Sequence, residues 1–125
     1  MTAVKVAQML VRAAGVVQLI LGVLFWTGNA EGLVPLHMLV GFVLVLGLLV
    51  LAVLAARAGA PAGLVAVAGF WVLLTPLLGL TQTSLLPGSA HWVVQVLHLL
   101  VGVAAIGLAE QLARRAGSRL AARAG

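Results

Sequence analysis

The 125 residues carry seven Lys or Arg against two Asp or Glu, a formal net charge of +5, yet only 7% are charged and 64% are hydrophobic. A soluble domain carries roughly a quarter charged residues, so a mean hydropathy of +1.28 points to an integral membrane protein. No cysteine is present, which excludes disulfides, thiolate metal sites and cysteine nucleophiles.

Four apolar segments follow in order, at about 4–26, 36–56, 62–81 and 91–113. A helix of about 20 residues spans the hydrocarbon of a bilayer, and open strands cannot. The first segment is longer than a signal-peptide core and is expected to stay as a helix. The breaks "TGNAEGLVP", "RAGAPAG" and "TSLLPGSA" are rich in turn formers. Pro35 and Pro61 suit the starts of the helices they precede. Pro76 predicts a kink in the third helix, with Thr75 helping to satisfy the freed backbone. The fold expected is all-α: one domain over 1–125, an integral membrane four-helix up-down bundle. The fourth helix continues into a basic cytoplasmic tail, "EQLARRAGSRLAARAG".

The basic residues set the expected orientation. Lys5 and Arg12 lie at the N-terminal end, Arg57 in the second connection, and Arg114, Arg115, Arg119 and Arg123 in the tail. The other two connections hold no Lys or Arg. Both termini are therefore expected to be cytoplasmic. Trp26 and Trp92 stand at the opposite ends of their helices as interfacial anchors. Membrane lipid is the expected partner of the basic tail. The cations are too few and scattered for nucleic acid.

The hexapeptide "LHMLVG", Leu36 to Gly41, returns as "LHLLVG", Leu97 to Gly102. A histidine inside a membrane helix is costly and marks a functional site by default. His37 lies 20 residues before Arg57, roughly 30 Å at 1.5 Å per residue. His98 and His91 lie 16 and 23 residues before Arg114, roughly 24 and 34 Å. All three fall in the outer half. His91, Gln95, His98, Gly102 and Ala105 share one face of the fourth helix. Gly41 and Gly102, each one turn below a histidine, leave space for a flat ligand. Gly15, Leu19 and Gly22 form a narrow stripe on the first helix. Close helix packing explains such glycines equally well.

Three readings are open for His37 and His98. They can clamp the iron of a b-type haem as two axial imidazoles. They can each hydrogen-bond a carbonyl or glutamine across a helix interface. With His91 they can form a three-histidine metal site. His91 is also the alternative iron ligand on the fourth helix, and Gln95 a polar neighbour of the cofactor. Arg12 is expected to snorkel toward the headgroups. Gln18, Thr75 and Gln82 are expected to hydrogen-bond between helices. With Glu31 in a loop and Glu110 near the basic end, no acid–base pair is in view. Phosphate-binding loops, dinucleotide motifs and nucleophile triads are absent.

Two stretches resemble the haem A synthase family. "HMLVGFVLVLGLLVLAVLAAR", His37 to Arg57, is similar to that family's second helix, which opens on a histidine. "LLGLTQTSLLPGSAHWVVQVLHLLVGVAAIGLAEQL" is similar to its third and fourth helices. The family is built from four-helix modules with a histidine near the outer end of the second and fourth helices. The resemblance implies haem-ligand roles for His37 and His98 and a plasma membrane of a bacterium or archaeon. It also implies that a chain of one module pairs with itself as a homodimer. The departures are specific. The acid that usually precedes the first histidine has its nearest counterpart in Glu31, Met38 replaces the arginine that commonly follows, and the loop cysteines are missing. These remove the basis for oxygenating a haem methyl and leave the cofactor-holding scaffold. Cytochrome b561-like bundles are a second resemblance, with more ligand histidines.

The function expected is a membrane b-type cytochrome that transfers electrons or holds haem b. Its redox partner would be a quinone or another membrane protein. The alternative is a cofactor-free structural or accessory subunit.

Overall fold

The computed structural model describes residues 2–125. Four helices make up the fold: α1 (Ala3–Trp26), α2 (Val34–Arg57), α3 (Ala62–Thr81) and α4 (His91–Ala124). No strand occurs among the described residues. Each helix is long and apolar enough to cross a membrane.

Local chemistry fixes where the helices start and stop. The Thr2 hydroxyl accepts from the Lys5 N–H at 3.3 Å, capping one orphan donor of α1. At the end of α1, the Gly28 and Asn29 N–H groups donate to Phe25 and Leu24 carbonyls at 3.0 and 2.8 Å. At the end of α2, Gly59 and Ala60 donate to Ala56 and Ala55 at 3.0 and 2.9 Å. Both are Schellman closures, and both need the left-handed backbone that Gly28 (φ 74°) and Gly59 (φ 83°) supply without strain. Pro35 sits in the first turn of α2, which therefore begins at Val34, two residues earlier than the apolar run suggests. A single 3-10 turn, Glu31–Leu33, leads into it.

The tail is not a separate segment. α4 runs unbroken for 34 residues, about 51 Å, well beyond the roughly 30 Å of a hydrocarbon core.

The helices form a bundle in which α2 and α4 touch each other and both flanking helices. Buried positions recur at helical spacing: Val4, Ala7, Val11 and Ala14 on α1; Leu44, Leu48, Leu51 and Ala55 on α2; Ala105, Ala109, Leu112 and Ala116 on α4. The inside is built largely of alanine, and large side chains such as Leu39 and Leu73 face outward. Lipid tails are as apolar as leucine, so close backbone approach rather than hydrophobic burial drives such packing. Two glycines report that approach. A Cβ on Gly15 would lie 2.7 Å from Ile106 of α4, and one on Gly47 would lie 2.6 Å from Val11 of α1.

This core is confined to the half of the bundle that holds Arg57 and Arg114. The other half, which holds the histidines, contributes no member of the cluster on α1 beyond Ala14, on α2 before Leu44, or on α4 before Ala105.

Candidate functional site

In the histidine half, each helix places one group around a common centre. His37 stands in the first turns of α2 and His98 two turns into α4. Their ring centroids are 6.2 Å apart, with the ring planes inclined by 56°. Phe25, near the end of α1, meets the His37 ring edge-on at 5.3 Å. Gly79 of α3 lies against His98, and a Cβ there would come within 3.2 Å of its Cε1. Phe25 and Gly79 were not selected by sequence reading. An aromatic at a helix end and a glycine in an apolar helix carry no chemical signature of their own.

The polar groups of this centre are unsatisfied. Nδ1 of His37, Nδ1 of His98 and Oε1 of Gln18 are buried with no hydrogen-bond partner. Leaving a buried polar atom unpaired costs about 1–3 kcal/mol, and nearly all such atoms in folded proteins find a partner. Three in one half of a small bundle is the most unusual feature of the molecule.

Gly41 does not open a slot below His37. The Gln18 side chain fills it, with Nε2 2.5 Å from where a Cβ would stand. Gln18 is thus a packing partner of Gly41 rather than the interhelical hydrogen bonder expected. Gly102 has open space: nothing lies within 4 Å of a Cβ built there. Gln95 is half-buried, one turn from His98. His91 is engaged elsewhere, its Nδ1 3.1 Å from the Leu85 carbonyl oxygen in the preceding loop. No group of three or more His, Cys, Asp or Glu comes together among the described residues. The three-histidine site therefore has no geometry behind it.

The hydrogen-bonded histidine pair fares no better. Neither Nδ1 meets a carbonyl or glutamine. The interhelical hydrogen bond in this region is instead Trp71 Nε1 of α3 donating to the Val101 carbonyl of α4 at 3.1 Å. Thr75 donates to the Trp71 carbonyl at 2.8 Å within its own helix. It does not reach the Val72 carbonyl that Pro76 leaves free.

The spacing of the pair is compatible with one shared metal. Metal–imidazole bonds are about 2.0–2.1 Å, so two imidazoles on opposite sides of one metal have centroids roughly 6–6.5 Å apart. The 6.2 Å separation falls within that range. Gly41 faces the Gln18 side chain, while the space beside Gly102 is open. Two apolar surface grooves lie away from the pair. One, of about 510 Å³, runs between Val6, Leu10, Val43 and Leu46. The other, of about 350 Å³, lies along Leu19–Leu24 of α1.

The opposite half holds a contrasting polar arrangement. Arg12 of α1 grips Glu110 of α4 through Nε at 2.6 Å and Nη2 at 2.8 Å, and Gln8 Nε2 donates to the same carboxylate at 2.8 Å. The Arg12 side chain is still 59% exposed, so this pairing adds to the reach toward the headgroups expected of it rather than replacing it. A bidentate fork to a carboxylate is stronger than a single contact.

No family model, curated relative or solved structure matches the chain.

Proposed function

We propose that this chain is an integral membrane b-type haem protein in which His37 and His98 are the axial ligands. The observation that carries the reading is the convergence of the two imidazoles at 6.2 Å with both Nδ1 atoms unpartnered. A second support is the location of the main core cluster, whose members on α1, α2 and α4 all lie toward the other half.

The topology belongs to the same proposal. Contacts between Val11 and Gly47, Gln18 and Gly41, and Phe25 and His37 step in opposite senses along α1 and α2. His37 with His98, and Gly59 with Arg119, step in the same sense along α2 and α4. This supports an up-down bundle. With the basic residues at one end, the termini are cytoplasmic and the site lies in the outer half of a bacterial or archaeal plasma membrane.

Haem held by His37 and His98 would supply one-electron exchange. The chain's own residues hold and orient. Phe25 limits rotation of the His37 ring, Gly79 leaves space for the His98 ring, and Gly102 leaves space beside it. A membrane quinone or a second redox protein is the partner, and pairing of two copies rebuilds an eight-helix arrangement. Glu110 is held by Arg12, and Glu31 is exposed in the turn before α2 with no ion pair among the described residues. Electron transfer or haem holding is therefore favoured over oxygenation.

The cofactor-free accessory subunit has one observation in its favour. Gly15 and Gly47 are explained by helix contact alone. The deciding experiment is a visible spectrum of the purified protein, oxidised and dithionite-reduced, after expression with haem supplied. A sharp reduced alpha band is expected. A protein that stays colourless after reconstitution with hemin overturns the haem reading and leaves the accessory subunit.

A further inference from the structure

The unbroken α4 carries its last turns back over the loop that joins α2 to α3. Ala116 of α4 and Ala58 of that loop are both buried in the core cluster, so this part of α4 is docked rather than free. Its docking brings two cations to one point. Arg119 Nη1 and Arg123 Nη2 each lie 3.7 Å from the position of a Cβ on Gly59. Arg57 ends α2 two residues before that glycine.

Like charges gathered this way repel, and no side-chain ion pair offsets them among the described residues. The one ion pair among the described residues is Arg12 with Glu110. Glu31, the other acid, precedes α2 at the far end of the bundle. Neither Arg119 nor Arg123 donates a side-chain hydrogen bond to protein among the described residues; the nearby C-terminal carbonyls of α2 already accept from Gly59 and Ala60.

We propose that Arg119 and Arg123 form a binding site for the phosphate of an anionic glycerophospholipid headgroup, seated over the Gly59 loop. Guanidinium groups match phosphate oxygens in paired geometry. The position selects lipid over soluble phosphate. Gly59 lies where α2 leaves its apolar run, and the apolar part of α4 ends at Ala113, immediately before Arg114. The cluster therefore sits at the level of the headgroups, where basic side chains meet anionic lipid. The site is independent of the histidine pair.

The test uses the full chain, exchanged into vesicles of equal phosphatidylglycerol and phosphatidylcholine and then recovered in mild detergent, with bound lipid quantified by native mass spectrometry. Wild-type protein is expected to retain phosphatidylglycerol preferentially, by about fivefold for each arginine engaged. The double variant Arg119→Gln with Arg123→Gln is expected to lose that preference. Arg114→Gln with Arg115→Gln, which removes the same charge from other positions, is expected to keep it. Equal retention of the two lipids by wild type overturns the proposal, and this readout stands even where a variant fails to fold. Equal loss in both double variants overturns it too, since net charge alone would then explain binding. Displacement of the retained lipid by millimolar inorganic phosphate overturns the choice of lipid as the ligand.

Discussion

The two halves of this bundle handle polarity in opposite ways. In the basic half, the one acid on α4 is claimed by Arg12 and Gln8 together, and alanine and glycine draw the helices into contact around Leu48, Leu51 and Leu112. In the histidine half, His37, His98 and Gln18 each bury a polar atom with no partner. One half joins its helices through close contacts and paired polar groups, and the other leaves polar atoms buried without partners. Membrane helices tolerate polar groups when these pair or serve a ligand. The basic half shows the first case, and the histidine half is consistent with the second.

The sharpest way to break this comparison is to remove the histidines one at a time. His37→Ala and His98→Ala are each expected to abolish haem retention, because each leaves iron with one axial imidazole. His91→Ala is expected to keep the cofactor, since its ring is tied to the Leu85 carbonyl. The readout is the reduced alpha band per mole of protein. If His91→Ala bleaches the protein and His98→Ala does not, the ligand assignment is wrong.

The glycines sharpen the same contrast in stability. Gly47→Val forces a side chain into Val11, and Gly15→Val does so into Ile106. Overpacking of this kind costs about 1–3 kcal/mol. Gly22→Val, on the same helix as Gly15 but toward the histidine half, meets nothing within 4 Å. It is expected to cost about 0.5 kcal/mol or less. Thermal unfolding in detergent, followed by loss of helical circular dichroism, ranks the three. Equal effects at Gly22 and Gly47 would erase that contrast.

These glycines also show where sequence reading stops. Four helices, their approximate bounds and the concentration of positive charge at one end were all legible, because hydropathy, turn residues and charge are local properties. The histidine pair was legible because a polar group in an apolar helix stands out. What each glycine faces was not. Gly41 and Gly102 occupy equivalent places in two nearly identical hexapeptides, yet one is filled by Gln18 and the other is open. That difference depends on which helix lies opposite, and no local pattern encodes it. The partner of Arg12 was hidden for the same reason. Its partner Glu110 lies 98 residues away, while the snorkelling expectation considered one helix alone. The reach of α4 to Ala124 was suggested by its composition, but its docking on the loop at Ala58 was not.

Trp71→Phe tests the seam between α3 and α4 just below the site. The indole N–H donates to the Val101 carbonyl, which already serves its own helix, so the loss removes one hydrogen bond together with part of the ring packed against the core. A cost of about 1–2 kcal/mol is expected, with the haem spectrum unchanged. A lost spectrum would mean that the seam, and not the histidines alone, holds the cofactor.

The smallest effect is expected at Gly41, and it is informative because it is small. A Cβ there meets only the end of the Gln18 side chain, at 2.5 Å. Gln18 is flexible and its Oε1 is unpartnered, so it gains by turning toward any donor. Gly41→Ala should therefore cost a few tenths of a kcal/mol at most, since the added methyl displaces a mobile amide rather than backbone. Its readout is twofold: thermal stability, expected to be nearly unchanged, and the position of the alpha band. An unmoved band would place Gln18 outside the haem environment. A shifted band at unchanged stability would bring Gln18 into it, and the three unpartnered atoms would then belong to one site rather than to a site and its neighbour.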